Sequence, residues 1–261
     1  MDNPQPSIRL NKFLAERLGV SRREADELIR LGQISVDGKT AILGTKVDST
    51  SNIFYNKKQL PFDVKYTYIA FHKPVGYVCS RRAQGSTPTL YELLPAEYQH
   101  LKTVGRLDKD SSGLILLTND GDFAFQMTHP KFRKTKVYEV ELNKPLEPLH
   151  QQMISDYGVM LDDGPSKFKV IRDDFAKPLP RGIRSCYEDA ATIPVKTGAR
   201  SVPKKMVSRN QYIVTLSEGR NRQIRRTFAA LGYRVTKLHR TSFGKYELGD
   251  LKAGEATEIT L

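Results

Sequence analysis

The sequence predicts an α+β protein in two parts, a small helix–helix–hairpin module followed by a larger domain of strands and helices. Three observations carry this reading. Apolar residues recur at helical spacing over residues 8–31, Asp37-Gly38 marks a tight hairpin just after them, and strand-like segments alternate with helical ones from Tyr66 onward. The expected division is a tail over 1–6, the module over 7–56, a linker over 57–65 and the larger domain over 66–261.

In the module, Leu10, Phe13, Leu14 and Leu18 share a helical stripe that ends at Gly19, a residue suited to the left-handed position after a helix. Ser21 and Glu24 have the spacing of a capping box, and Ala25, Leu28 and Ile29 form the stripe of a second helix closed by Gly32. Ile34-Ser35-Val36 and the residues after Lys39 flank Asp37-Gly38, the combination that favours a type I′ turn because both central residues need positive φ. Arg9, Lys12, Arg22, Arg23 and Arg30 lie off the apolar stripes, where they can track phosphates. The stretch around Asn56-Lys57-Lys58 and Pro61 is polar and reads as the linker.

In the larger domain, Tyr66 to Phe71 reads as a strand, and Lys73-Pro74-Val75-Gly76 as a turn into a second strand through Val78. Leu114 to Leu117 is a purely aliphatic run between Gly113 and the turn residues Asn119 to Gly121, the pattern of a strand buried on both faces. Asp122 to His129 suggests a short helix, and Lys136 to Leu142 alternates as a half-buried strand with Tyr138, Val140 and Leu142 on one face. Residues 172–209 hold nine basic side chains, four acidic ones and four prolines, and read as a basic insertion. Gln211 to Ser217 is a strand, and Asn221 to Leu231 a helix with Ile224, Phe228 and Leu231 inward. Arg220, Arg222, Arg225 and Arg226 crowd its first turns, where a helix N-terminus already favours phosphate.

Composition narrows the partners. Forty-two Lys and Arg against 29 Asp and Glu give a formal charge of +13 and a pI near 9.6, so a polyanion is attracted at long range. RNA or DNA is preferred over an anionic membrane, because no basic amphipathic helix with a strong aromatic face is present and Trp is absent. The N-terminus has no secretion signal and no apolar run approaches the length of a spanning helix, so a cytoplasmic protein is expected. Cys79 and Cys186 stand far apart and the five histidines lack ligand spacing, so neither disulfide nor metal is expected.

Chemistry concentrates in Gly105 to Gly121. Asp108 sits in a tight loop just before the aliphatic strand, with Arg106 two residues before it and Ser111 and Ser112 as nearby donors. Such a carboxylate can stay ionised in a partly dry pocket and act as base or nucleophile. The bland reading of Gly-Arg-Leu-Asp is a capped surface turn, but the pattern extends over seventeen residues. Asp110 would need further ligands to make a metal pair, and reads as a loop acceptor.

This run resembles the signature loop of the pseudouridine synthases, in the branch that includes RsuA, RluB, RluE and RluF, with Ser111 where Thr is common. Arg9 to Leu14 and Val20 to Ala25 resemble the motifs of an S4-type RNA-binding domain. Lys73-Pro-x-Gly matches the first motif of the synthases, and Arg220-Asn-Arg-Gln-Ile-Arg-Arg226 the third, with Asn221-Arg222 in place of the x-His of many relatives, a variant closest to RluF. The resemblance implies a catalytic domain on a mixed, mostly antiparallel sheet flanked by helices. It implies Asp108 as the catalytic aspartate, Arg225 as its ion-pair partner, Tyr138 stacking on the target base and Leu238 lining the base pocket. Arg106 would hold the flipped backbone, and Lys73, Arg220, Arg222 and Arg226 would meet the substrate.

The resulting expectation is a monomeric, cofactor-free enzyme that isomerises a uridine within structured RNA. The target expected is ribosomal RNA or a ribosome assembly intermediate, with the large-subunit 23S RNA ahead of 16S RNA or a tRNA. A non-catalytic S4-type RNA-binding protein is the rival of a different class. A glycosidase or nuclease using Asp108 and Asp110 fits less well, because two carboxylates in one loop are poorly placed to flank a scissile bond.

Overall fold

The structure is a computed structural model that describes residues 7–63, 65–173 and 210–261. The 1–6 tail lies outside the described residues, as does the expected 172–209 insertion apart from Arg172 and Asp173. The chain forms two units, Met1–Lys136 with His239–Leu261, and Val137–Leu238.

The first unit begins with the expected module. Strand β1 (Ile8–Arg9) leads into helix α1 (Leu10–Arg17), and α2 (Arg22–Arg30) follows after the Gly19 turn. The capping box of α2 is complete: the Glu24 N–H donates to Ser21 Oγ at 3.1 Å, and the Ser21 N–H donates to the Glu24 carboxylate at 2.7 Å. That backbone donor holds the Glu24 carboxyl below the usual carboxylate range. Strands β2 (Ile34–Val36) and β3 (Lys39–Thr40) form the hairpin, with Asp37 at φ 50° and Gly38 at φ 79°, as a type I′ turn requires. β4 (Lys46–Val47) pairs with β1, and β5 (Ile53–Tyr55) with β2. Leu10, Phe13, Leu14, Ala25, Ile29, Ile34, Val47 and Ile53 form the module's core.

β6 (Lys58–Leu60) pairs with β5, so the sheet continues three residues into the stretch expected to be linker. The cause is local. Asn56 and Lys57 both adopt positive φ, 47° and 67°, and turn the chain back on itself.

Next come β7 (Tyr68–Lys73), β8 (Lys102–Val104), β9 (Ser112–Thr118) and α3 (Gly121–Thr128). β9 is the organising strand: Leu114, Ile115, Leu116 and Leu117 are all 0 % exposed, and β7 pairs antiparallel along its whole length. Leu114 and Leu116 pack with Phe123 and Met127 of α3. Asp120 caps α3 by accepting from the Asp122 and Phe123 N–H groups and also accepts the Tyr68 hydroxyl at 2.8 Å, which ties the helix start to β7. The segment around Val78, expected to be a strand, makes only a single bridge to Thr89. The Val78 N–H donates to the Pro88 carbonyl and its carbonyl accepts from the Leu90 N–H, while the Gly76 N–H and the Cys79 thiol bond to the loop that carries Asp108.

The second unit holds most of β10 (Lys136–Leu142), then α4 (Pro148–Gln152), the hairpin of β11 (Val159–Leu161) and β12 (Gly164–Ser166), β13 (Lys169–Arg172), β14 (Gln211–Leu216) and α5 (Gln223–Ala230). Its strand order is β13-β14-β10-β15, where β15 (Val235–Phe243) begins in this unit and ends in the first. Helix α5 starts at Gln223 rather than Asn221, because Arg222 takes a left-handed conformation at φ 45°. In the first unit the end of β15 runs parallel to β9 and then turns into β16 (Tyr246–Glu247), while β17 (Ala256–Glu258) pairs with β7. The parallel β15–β9 pair beside antiparallel ones makes the sheet mixed, in an α+β fold.

Candidate functional site

Asp108 is half-buried in a loop whose backbone is held at several points. Lys73, at the end of β7 and 0 % exposed, donates from Nζ to the carbonyls of Ser111 (2.7 Å), Pro74 (3.0 Å) and Asp108 (3.1 Å). Burial pulls its ammonium below the usual lysine range, and charge-assisted bonds to three carbonyls oppose that cost. The Ser111 N–H closes the turn onto the Asp108 carbonyl, and the Gly76 N–H donates to the Lys109 carbonyl at 2.7 Å. Cys79 Sγ lies 3.3 Å from the Leu107 carbonyl and 3.4 Å from its N–H, and burial pushes the thiol up. Leu107, Asp108, Lys109 and Ser111 are thus each held by a contact from the Lys73–Cys79 segment.

The loop then enters β9 at a junction that only glycine can occupy. Gly113 faces Arg240 in the parallel pair, at φ 105°, and a Cβ there would lie 2.2 Å from the Arg240 carbonyl oxygen. Beside it, Ser112 Oγ and His239 Nδ1 are 2.8 Å apart, and buried Arg240 donates from Nε to the Leu114 carbonyl at 2.7 Å. Arg106 is exposed at the mouth of the loop, and Lys109 reaches the Thr87 hydroxyl.

In the second unit, Tyr138 and Leu238 are buried on the neighbouring strands β10 and β15. Arg225, half-buried on α5, donates from Nη1 to the Val235 carbonyl at the start of β15, 2.9 Å away. Arg220 and Arg226, expected to meet substrate, both engage Asp163: Arg220 Nη1 at 3.0 Å and Arg226 Nη2 at 2.7 Å. Arg220 also donates to the Gly164 and Pro165 carbonyls, which binds the β11–β12 hairpin to the start of α5. The Arg226 bond holds the Asp163 carboxyl below its usual range. Arg222 is exposed at the N-cap of α5.

Among the module's basic residues, Lys12 is engaged by Asp122 of α3 at 2.6 Å and Arg30 by Glu27 at 2.9 Å. Arg9, Arg22 and Arg23 are exposed, with no ion-pair partner among the described residues.

Sequence reasoning passed over Gln223. It is buried at the first turn of α5, donates to Ser166 Oγ (3.1 Å) and to the Glu218 carboxylate, and accepts from the Arg220 N–H. Thr227, fully buried one turn on, donates to Ser166 Oγ at 2.7 Å or to the Gln223 carbonyl at 2.9 Å. The clue was that Gln223 and Thr227 sit at i and i+4 beside Ile224 and Phe228, on the buried stripe rather than the polar face.

Among the described residues no cluster of three or more His, Cys, Asp or Glu could hold a metal ion, and no helix is long and apolar enough to cross a membrane.

Comparison with known proteins supplies the context for this geometry. The RNA pseudouridylate synthase profile matches residues 67–230 and the S4 domain profile residues 8–53. A small-subunit pseudouridine synthase A from Pasteurella multocida is 33 % identical over 256 residues, 97 % of this chain and 96 % of that protein. A large-subunit pseudouridine synthase B from Bacillus subtilis is 33 % identical over 253 residues, covering 97 % and 92 %. A crystal structure of a pseudouridylate synthase superposes with a TM-score of 0.60 at 28 % identity over 97 % of this chain and 96 % of the other.

Proposed function

The chain belongs to the RNA pseudouridylate synthase family, and on that premise we propose that it isomerises a specific uridine of ribosomal RNA to pseudouridine. The reaction breaks the N1–C1′ bond, turns the detached uracil and joins C5 to C1′, with the C5 proton given up and N1 reprotonated. Atoms and electrons balance within the one nucleoside. The supporting observation is the Asp108 loop, whose backbone is pinned by Lys73, Gly76 and Cys79 while its side chain is left half-buried. A carboxylate that must meet one atom of a ribose gains from such a rigid base, because misplacement by about 1 Å can cost on the order of 100-fold in rate.

In this reading Asp108 attacks C1′ or removes the 2′ proton, Arg225 keeps it ionised, Tyr138 stacks on the uracil against Leu238, and Arg106 holds the flipped backbone. Extruding the nucleotide costs a few kcal/mol, offset by stacking and phosphate contacts. The module over 7–56 carries the RNA through Arg9, Arg22 and Arg23, with Lys12 and Arg30 at the edges of that contact, and Arg222 meets the substrate from the start of α5. The Asn221-Arg222 variant of the third motif favours the large-subunit RNA, and the enzyme acts as a cytoplasmic monomer on naked RNA or an assembly intermediate.

Asp108→Asn tests the chemistry. Pseudouridine formation is expected to disappear while RNA affinity stays within a few fold, and full turnover in that variant discards the assignment. Mapping pseudouridines in ribosomal RNA from cells with and without the gene identifies the target. A missing site in the small-subunit RNA alone overturns the large-subunit reading, and no missing site overturns the ribosomal one.

A further inference from the structure

The end of α3 and the turn after it carry an aromatic cluster that the fold does not use. Phe125 and Phe132 are 45 % and 38 % exposed, and His129 stands exposed between them. Their rings are mutually close, with centroids 4.6 Å apart for Phe125–His129, 5.8 Å for Phe125–Phe132 and 6.5 Å for His129–Phe132. Lys131 Nζ lies 5.1 Å from the Phe125 ring centre and 4.7 Å from that of Phe132. The cluster is built rigidly: Pro130 opens the 3-10 turn Pro130–Phe132, the Lys131 N–H donates to His129 Nδ1, and the Phe132 N–H donates to the His129 carbonyl.

Two further observations identify what this surface meets. Lys131, Arg133, Lys134 and Lys136 follow in six residues, and no acidic side chain occurs between Phe123 and Tyr138. The same helix end packs on the catalytic loop, since a Cβ at Gly105 would lie 3.4 Å from Thr128 Cγ2. Apolar faces amid a run of positive charge that holds no acidic residue, next to the loop that meets a flipped nucleotide, match the make-up of a single-strand RNA platform: rings for bases and cations for the backbone. A protein partner with an apolar anchor would not need four cations in six residues.

We propose that Phe125, His129 and Phe132 form a stacking platform for an unpaired base of the RNA other than the uridine being modified, with Lys131 and Arg133 meeting its phosphates. The proposal rests on the RNA-modifying reading above. The platform binds ground and transition states alike, so its loss raises KM and leaves kcat in place.

The absence of native Trp gives a direct probe, because Phe132→Trp installs the sole indole in the chain. Two measurements are made with the full-length protein and a naked ribosomal RNA fragment containing the mapped uridine. The Phe125→Ala, Phe132→Ala double variant is expected to raise KM about tenfold with kcat within twofold, on the scale of one lost base stack. The Phe132→Trp protein is expected to keep near-native KM and to lose indole fluorescence on binding the fragment. Unchanged KM in the double variant, or an unquenched indole at saturating RNA, overturns the platform. So does a defect seen only on ribosomal particles and not on naked RNA, which would assign the surface to a protein partner. Failure of the functional reading is distinguishable, because the native enzyme itself would then form no pseudouridine while quenching still reports on the platform.

Discussion

Replacing Gly113 by alanine tests whether the entry into β9 limits the site. The added methyl would lie 2.2 Å from the Arg240 carbonyl oxygen, 2.6 Å from its nitrogen and 2.8 Å from its carbonyl carbon. Ordinary contact needs roughly 3.5 Å, so β9 and β15 must part by about 1 Å. Their parallel junction consists of His239↔Ser112 and Arg240↔Gly113, which leaves little to absorb the shift. Overpacking of this kind costs about 1–3 kcal/mol and a positive φ in a non-glycine residue about 1–3 kcal/mol more, so the sum is about 4 kcal/mol. At roughly 2–4 °C per kcal/mol for a chain of this size, Tm falls by about 8–16 °C in a thermal melt followed by circular dichroism. Gly44→Ala is the control. Gly44 also has positive φ, 87°, but an added Cβ meets nothing within 4 Å, so that variant isolates the backbone cost of about 1–3 kcal/mol. A Gly113→Ala protein melting within about 2 °C of the Gly44→Ala control would refute the clash argument.

Lys73→Met removes the donor from the Pro74 and Ser111 carbonyls, while Asp108 keeps its bond from the Ser111 N–H, so about 2 kcal/mol of stability is lost and kcat falls with it. The sign of its pH dependence is fixed by burial: the folded ammonium titrates below 10.5, so the unfolded chain holds more protons between the folded value and 10.5. Stability of the native protein relative to Lys73→Met therefore rises with pH across that window and is lost as pH falls through the folded value; parallel denaturation curves at neutral and alkaline pH with a constant difference would contradict it. Gln223→Leu leaves Ser166 Oγ and the Arg220 N–H short of a partner inside the second unit and costs about 2 kcal/mol, measured by urea unfolding. Arg22→Gln with Arg23→Gln lowers the slope of log affinity against log salt by up to about 2, whereas Arg226→Gln leaves that slope within about 0.5; equal slopes for both would show that ion pairing at Asp163 does not withdraw Arg226 from RNA.

Local chemistry made part of the architecture legible. The Ser21/Glu24 capping box, the Asp37-Gly38 turn and the fully buried Leu114–Leu117 run each depend on residues within a few positions of one another, and each forms as the spacing implies. Where the outcome depends on distant chain, spacing is blind. Arg220 and Arg226 find Asp163 some 57 and 63 residues earlier, and Lys73 finds the Ser111 carbonyl 38 residues on. The left-handed Arg222 that delays α5 is a backbone choice that nothing in the Asn221-Arg222 pair announces.

The placement of the cations changes what a net charge of +13 means for binding. Lys12, Arg30, Arg220 and Arg226 already face carboxylates, and a phosphate that approaches any of them must displace an acid or share its partner. Such residues add little to the release of condensed counterions, and their bonds act on the fold instead: Lys12 joins α1 to the start of α3, and Arg220 fastens a hairpin to the helix bearing Arg225. Arg9, Arg22, Arg23, Arg106, Lys131 and Arg133 are exposed. Among the described residues, exposed cations of this kind lie on the N-terminal module and beside the Asp108 loop, while Arg220 and Arg226 of the basic third motif act first as a structural splice.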